Sequence, residues 1–197
     1  TEDMICGVQM CNLTSQNGAK IKTKKDWAEC VEAATIIGTL QAGYTHFPYL
    51  SKASEDLTNE EALLGVSITG IMDNPQLLLN EDIQAEMSKS AVEINKYWAG
   101  KINVNPASRI TCVKPEGTSS LILGSGSGIH PHHARRYFRR VMANKQENIY
   151  KHFKRHNKDL CEASVWSATK TDDVISFPIE VSEKAKINPL FASKLAQ

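Results

Sequence analysis

The run Leu63 to Met72, LLGVSITGIM, constrains the fold more than any other stretch of this chain. It is continuously apolar, interrupted by Gly65 and Gly70, and reads better as a buried strand than as a helix. Helical patterns lie on both sides of it. Thr23 is placed to cap a helix whose stripe runs Trp27, Val31, Ala34, Ile37, Gln41 and Tyr44, close to a 3.6-residue period. Asn80 opens a second helix, with Ile83, Met87, Ala91, Ile94 and Trp98 spaced as a core-facing stripe. Residues 4–13 form an extended, cysteine-bearing stretch that ends in a Ser15-Gln16-Asn17-Gly18 turn. Further on, 137–143 reads as a strand, 145–156 as a helix and 173–181 as a strand. The expectation is an α/β chain, one continuous stretch of domain with no linker or repeat.

The segment TCVKPEGTSS, residues 111–120, asks for a different account. Arg109 to Val113 reads as a buried strand, which Pro115 stops because it has no N–H to donate. Gly117 allows a change of direction, and Thr118, Ser119 and Ser120 are helix-starting residues. A strand passing through such a turn into a helix presents backbone N–H groups and a positive dipole end, an arrangement suited to phosphate. An ordinary capped turn would use the same residues. Beyond it, Gly124-Ser125-Gly126-Ser127-Gly128 reads as a flexible loop leading to His130, His132 and His133.

Composition excludes more than it assigns. The chain has 197 residues, 23 basic against 22 acidic, for a net charge of +1. No global field therefore draws it to nucleic acid or to an anionic membrane. No apolar run approaches the ~20 residues of a membrane span, and the start shows no signal-peptide pattern, so the expected location is cytoplasmic. The cysteines at 6, 11, 30, 112 and 161 are too irregular for a disulfide scaffold, and Cys30 and Cys112 read as core thiols. The spacing of His130, His132 and His133 suits no structural zinc pattern, so no metal is expected. In Arg135-Arg136-Tyr137-Phe138-Arg139-Arg140, strand alternation sends the arginines to both faces, which argues against a nucleic-acid stripe.

Taken together, VKPEGTSS followed by SGIHPHHARRYFRR resembles the catalytic subunit of ribonucleotide reductases, in particular the cobalamin-dependent (class II) branch. MCNLTS, LLGVSITGIMD and NKDLCEASVWSATKTDDVISFPIEV are similar to the same family, in collinear order over nearly the whole chain. The resemblance implies a portion of the family's ten-stranded α/β barrel, with residues 1–197 as the C-terminal part of that catalytic domain and the upstream half absent. It also implies a reaction, radical replacement of the ribose 2′-hydroxyl by hydrogen, and adenosylcobalamin as cofactor.

Carried over residue by residue, the resemblance makes Pro115, Glu116, Gly117, Thr118, Ser119 and Ser120 the site for the phosphates of a ribonucleoside di- or triphosphate. Cys11, in MCNL, becomes one of two thiols that supply electrons by closing to a disulfide, its partner lying upstream in the family. Cys6 is an alternative partner, but five residues along a strand would turn the two thiols to opposite faces. Glu2 falls where the family has a catalytic glutamate, and the radical cysteine would precede Thr1. The chain is thus expected to need its upstream half and a thiol reductant, to be inactive and poorly soluble alone, and to bind neither nucleic acid nor membrane. The alternative is a non-catalytic nucleotide-binding module that keeps the phosphate turn.

Overall fold

The computed structural model describes residues 7–188, which group into two compact units. The first comprises residues 7–132 with 184–186; the second comprises 133–183 with 187–188.

In the first unit, the LLGVSITGIM run forms strand β2, Leu64–Thr69, paired in parallel with β1, Asn12–Asn17. The strand β1 runs through the expected turn at 15–18, and the turn begins only at Gly18. The reason lies in the side chains: Ser15 and Gln16 hydrogen-bond within the sheet region, to Glu116 and to the Ser67 carbonyl. Segment 109–112 follows the other edge of β2, bridging in parallel at Val66 and Thr111. It is less regular and less buried than the sequence suggests, for Val113 is 67% exposed and only that one bridge forms.

Helix α1, Lys24–Gln41, begins as expected at Thr23, with a capping box in which Asp26 answers the Thr23 backbone. Its buried face is Trp27, Val31, Ala34, Thr35, Gly38 and Thr39, while Ile37 and Tyr44 point to solvent. The 3.6-residue stripe drifts around the helix, and small residues take over where α1 approaches β2. A Cβ on Gly38 would already touch Leu64. Helix α2, Lys52–Glu61, has no core stripe and was not apparent in the sequence. After β2, a left-handed Gly70 leads through a 3-10 turn, Ile71–Asp73, to the single turn α3, Pro75–Leu78.

Helix α4, Glu81–Ile102, starts at Asn80, whose Oδ1 accepts from the Ile83 N–H at 3.0 Å. It packs on α1. Trp27, Val31, Ile71, Leu78, Met87 and Ala91 bury one core cluster, and Ala34, Ala42, Ala62, Leu64 and Val66 a second. Asn95 sits inside this packing because both ends of its amide are satisfied, by Thr39 Oγ1 at 3.0 Å and the Ala107 N–H at 2.9 Å.

The second unit is an antiparallel sheet in the order β3-β5-β4, formed by Arg136–Asn144, Asp172–Glu180 and Cys161–Ala163. Burial alternates along β3, as the basic run requires, and Arg136 and Arg140 pair with Glu180 and Glu162. Helix α6, Asn148–His156, places Phe153 against Phe177 and buries Tyr150. Among the described residues, no helix is long and apolar enough to cross a membrane.

Candidate functional site

The first unit's sheet has two unlike faces. Leu64, Val66 and Ile68 join the core packing, so alternation turns Gly65, Ser67 and Thr69 to the opposite side. Register places Leu13 beside Gly65 and Ser15 beside Ser67 on that side. The expected phosphate turn closes over it.

The turn's anchor is Glu116. Its Oε1 accepts from Ser67 Oγ at 2.6 Å and Ser15 Oγ at 2.8 Å, with Lys114 Nζ at 3.1 Å, and its Oε2 accepts from Ser119 Oγ. Burial of the carboxyl would raise its pKa; the Ser119, Ser67 and Ser15 hydroxyls and Lys114 outweigh this and hold it down to about 2. A carboxylate so engaged, and negative, cannot itself contact phosphate. The Glu116 side chain therefore braces the turn, and the expected phosphate contact rests on backbone N–H groups. Ser119 likewise spends its proton on Glu116, and Ser120, nearly fully buried, contacts the Gly117 carbonyl.

The special backbone position also differs from expectation. Glu116, not Gly117, is left-handed, at φ 55°. A Cβ on Gly117 would meet nothing within 4 Å. The short helix α5, Ser119–Leu123, has Thr118 at its N-cap without a side-chain cap bond. The first N–H groups of any helix have no intrahelical acceptor, and the surroundings of Gly117 are open.

The glycine loop is clamped, not flexible. Thr69 Oγ1 donates to the Gly126 carbonyl and accepts from the Gly128 N–H, at 2.8 and 2.9 Å. The Gly126 N–H donates to Asp73 Oδ2 at 2.7 Å, and Asp73 Oδ1 meets His132 Nε2 at 2.6 Å. Gly128, at φ 53°, lies so close under the turn that a Cβ would stand 2.5 Å from the Lys114 carbonyl oxygen. Three buried polar groups (Thr69, Asp73 and His132) thus hold the loop that supports 114–117. Among the described residues, no group of three or more His, Cys, Asp or Glu side chains is placed to hold a metal ion.

Cys11 is exposed, just before β1 on the same face. Its Sγ and that of Cys112 flank Gly65, at 3.3 and 3.2 Å from where a Cβ would stand there. Cys112 is therefore a half-buried neighbour of Cys11 rather than a core thiol. Burial pushes both thiols up, and Lys114 pulls both down to a lesser degree. Cys30 does pack against the core. Glu2 and Cys6 lie outside the described residues.

Sequence reasoning thus misses Ser15, Ser67, Lys114 and Asp73 as parts of this site, while His132, one of the loop histidines the sequence sets near a polar site, joins it through Asp73. The period-two placement of the serines is a usable signal, but the Ser15-Gln16-Asn17-Gly18 cluster favours a turn. The Asp73–His132 pair spans 59 residues and left no local trace.

Compared with solved structures, the chain is similar to the crystal structure of a B12-dependent (class II) ribonucleotide reductase, with a TM-score of 0.65 and 17% sequence identity over 91% of this chain. The chain has a ribonucleotide reductase-like fold. It spans 29% of that protein's chain. No protein-family model and no curated protein matches the sequence.

Proposed function

We propose that this chain is part of the catalytic barrel of a ribonucleotide reductase, acting on a ribonucleoside di- or triphosphate. The observation that carries the reading is a juxtaposition on one sheet face. An exposed thiol, Cys11, and the Pro115–Ser120 turn lie on the same side of β1 and β2, with Glu116 tying the turn to both strands. The ribonucleotide reductase-like fold supports the same reading.

In this reading, the backbone N–H groups of Gly117, Thr118 and Ser119 receive the substrate's phosphates. Glu116 carries the strain of the left-handed position and aims the turn, without touching the anion. Fixing the phosphate end presents the ribose to the open face near Cys11. Replacing the 2′-hydroxyl with hydrogen releases water and takes two electrons; Cys11 and a second thiol supply them by losing two protons and forming a disulfide. An external dithiol then restores the pair. Glu2 is assigned proton transfer at the ribose 3′-hydroxyl.

Adenosylcobalamin would supply the initiating radical. A cavity beside β2, lined by Trp27, Val31, Met87, Ala91 and Cys112 among others, measures about 220 Å3. That is smaller than the sites of ordinary drug-sized ligands, so it does not fit a corrin. Leu13 and Val113, 51% and 67% exposed, leave apolar surface open near Cys11, which suits a site completed by further chain.

The deciding experiment combines the chain with the upstream half of a class II reductase, adenosylcobalamin and a dithiol, and assays deoxynucleotide from CDP and CTP. Deoxynucleotide formed only in the complete mixture supports the reading. Nucleotide binding with no deoxynucleotide from any complemented mixture would replace it with the binding-module alternative.

A further inference from the structure

The second unit contains a concentration of positive charge that the phosphate turn does not explain. Although the chain as a whole carries only one net charge, a pocket of about 450 Å3 is lined by Lys145, Tyr150, Lys151, Lys154, Arg155 and Lys158. Five of the six lining residues are cationic. Lys151, Lys154 and Arg155 share one face of α6 through their three- and four-residue spacings. Lys158 opens the next turn, and Lys145 enters from the end of β3.

The acidic groups nearby do not neutralise the set. Asp173, 2% exposed, accepts from Tyr150 and pairs with Lys154 Nζ at 2.6 Å and Lys145 Nζ at 3.2 Å. One buried carboxylate thus holds two lysines in place and cancels one of them. Asp172 is occupied by Ser167 and Thr171. Neither Glu147 at the start of α6 nor Asp159 lines the pocket. Among the described residues, Lys151, Arg155 and Lys158 have no carboxylate within ion-pairing distance. Lys154, Arg155 and His156 also complement the negative end of the α6 dipole. That accounts for none of Lys145, Lys151 or Lys158.

We infer that this pocket binds a chain of linked phosphates, as in a nucleoside triphosphate or inorganic tripolyphosphate. Five cations exceed what a single phosphate needs, and three of them have no carboxylate partner among the described residues. The volume is that of a small-ligand site rather than a groove for a polymer. Arg155 offers a planar fork for two phosphate oxygens, and the lysines add point charges around it. The Tyr150 ring, with Lys154 Nζ 5.6 Å from its centre, forms part of the wall.

The test is calorimetric titration of the full chain with inorganic tripolyphosphate, orthophosphate, ATP and a single-stranded oligonucleotide. The expected result is a tripolyphosphate site that depends on Lys151 and Arg155 and is distinct from the 115–120 turn, binding at least tenfold tighter than orthophosphate and weakening as salt rises. Lys151→Gln with Arg155→Gln should reduce that affinity at least tenfold with an unchanged circular dichroism spectrum, whereas Arg136→Gln should not. ATP competing with tripolyphosphate identifies a nucleotide source; failure to compete identifies the free anion. Equal affinity for orthophosphate, an unaffected double variant, or tighter binding of the oligonucleotide would overturn the inference. None of these outcomes depends on deoxynucleotide formation, so the proposed reductase activity stands or falls separately.

Discussion

Ser67 Oγ donates to Glu116 Oε1 at 2.6 Å, joining the middle of β2 to a turn 49 residues away. Ser15, the register partner of Ser67, donates to the same oxygen at 2.8 Å. Two parallel strands therefore present matched hydroxyls to one carboxylate, and that carboxylate sits on the left-handed residue of the turn. The conformation least natural to a non-glycine residue is held where its side chain has the most partners.

Glu116→Gln should lower stability by about 1.5–3 kcal/mol at neutral pH, the range for hydrogen bonds to a charged group. The pH dependence follows from a folded pKa of about 2 against an ordinary 4.5. The charged form is favoured in the folded state, so its contribution is complete above the ordinary value and is lost as pH falls toward 2. Urea unfolding of wild type and variant between pH 7 and 2 should show their stabilities converging in acid. A constant gap over that range would contradict the assigned role.

Gly128→Ala should destabilise the protein, because φ 53° is strained for alanine and the new methyl would stand 2.5 Å from the Lys114 carbonyl oxygen. Gly117→Ala should fold normally, since its Cβ position is empty. Gly117→Val should still fold but weaken nucleotide binding in the complemented enzyme, by crowding the open side of the turn. Thermal melts and nucleotide titrations separate these effects. A larger loss of melting temperature in Gly117→Ala than in Gly128→Ala would reverse the assignment.

Asp73→Asn should free the glycine loop. The substitution weakens the contact to His132 and one of the bonds that fix Gly126. A loss of about 1–3 kcal/mol is expected for a buried polar group left with imperfect partners. Amide exchange should speed up first at Gly126 and Gly128, ahead of α1 and α4. Uniform acceleration across the first unit would mean that the pair stabilises the fold generally and not the loop.

The sequence exposed what depends on near neighbours. Thr23 and Asn80 each satisfy an N–H three residues on, so both helix starts could be read directly. The LLGVSITGIM run showed its strand because the whole segment is buried or nearly so. The failures share a different cause. The cluster of serine, asparagine and glycine around Ser15 suggests a turn, yet the Ser15 hydroxyl is committed to a residue 101 positions away. The loop at 124–128 looked flexible by composition, but Thr69 and Asp73 impose its conformation from outside. The turn at 114–120 was visible as a pattern, while the division of labour inside it, with Glu116 as scaffold and Gly117 exposed, depended on long-range partners.

Cys11 and Cys112 give the last prediction. Their sulfurs approach across Gly65, but their backbones run along opposite edges of β2. Two strand spacings put their α-carbons about 10 Å apart, beyond the ~7 Å that a disulfide spans without backbone movement. Oxidising the chain alone should therefore leave the two thiols unlinked, and peptide mapping should find no Cys11–Cys112 bridge. Alkylation should favour the exposed Cys11 over half-buried Cys112, and should quicken as pH rises through the elevated thiol range, because burial disfavours both thiolates. In the complemented enzyme, Cys11→Ser should stop multiple turnover while leaving nucleotide binding intact, whereas Cys112→Ser should retain turnover. A Cys11–Cys112 disulfide in the oxidised chain, or sustained turnover by Cys11→Ser with a dithiol, would show that the electrons take another route.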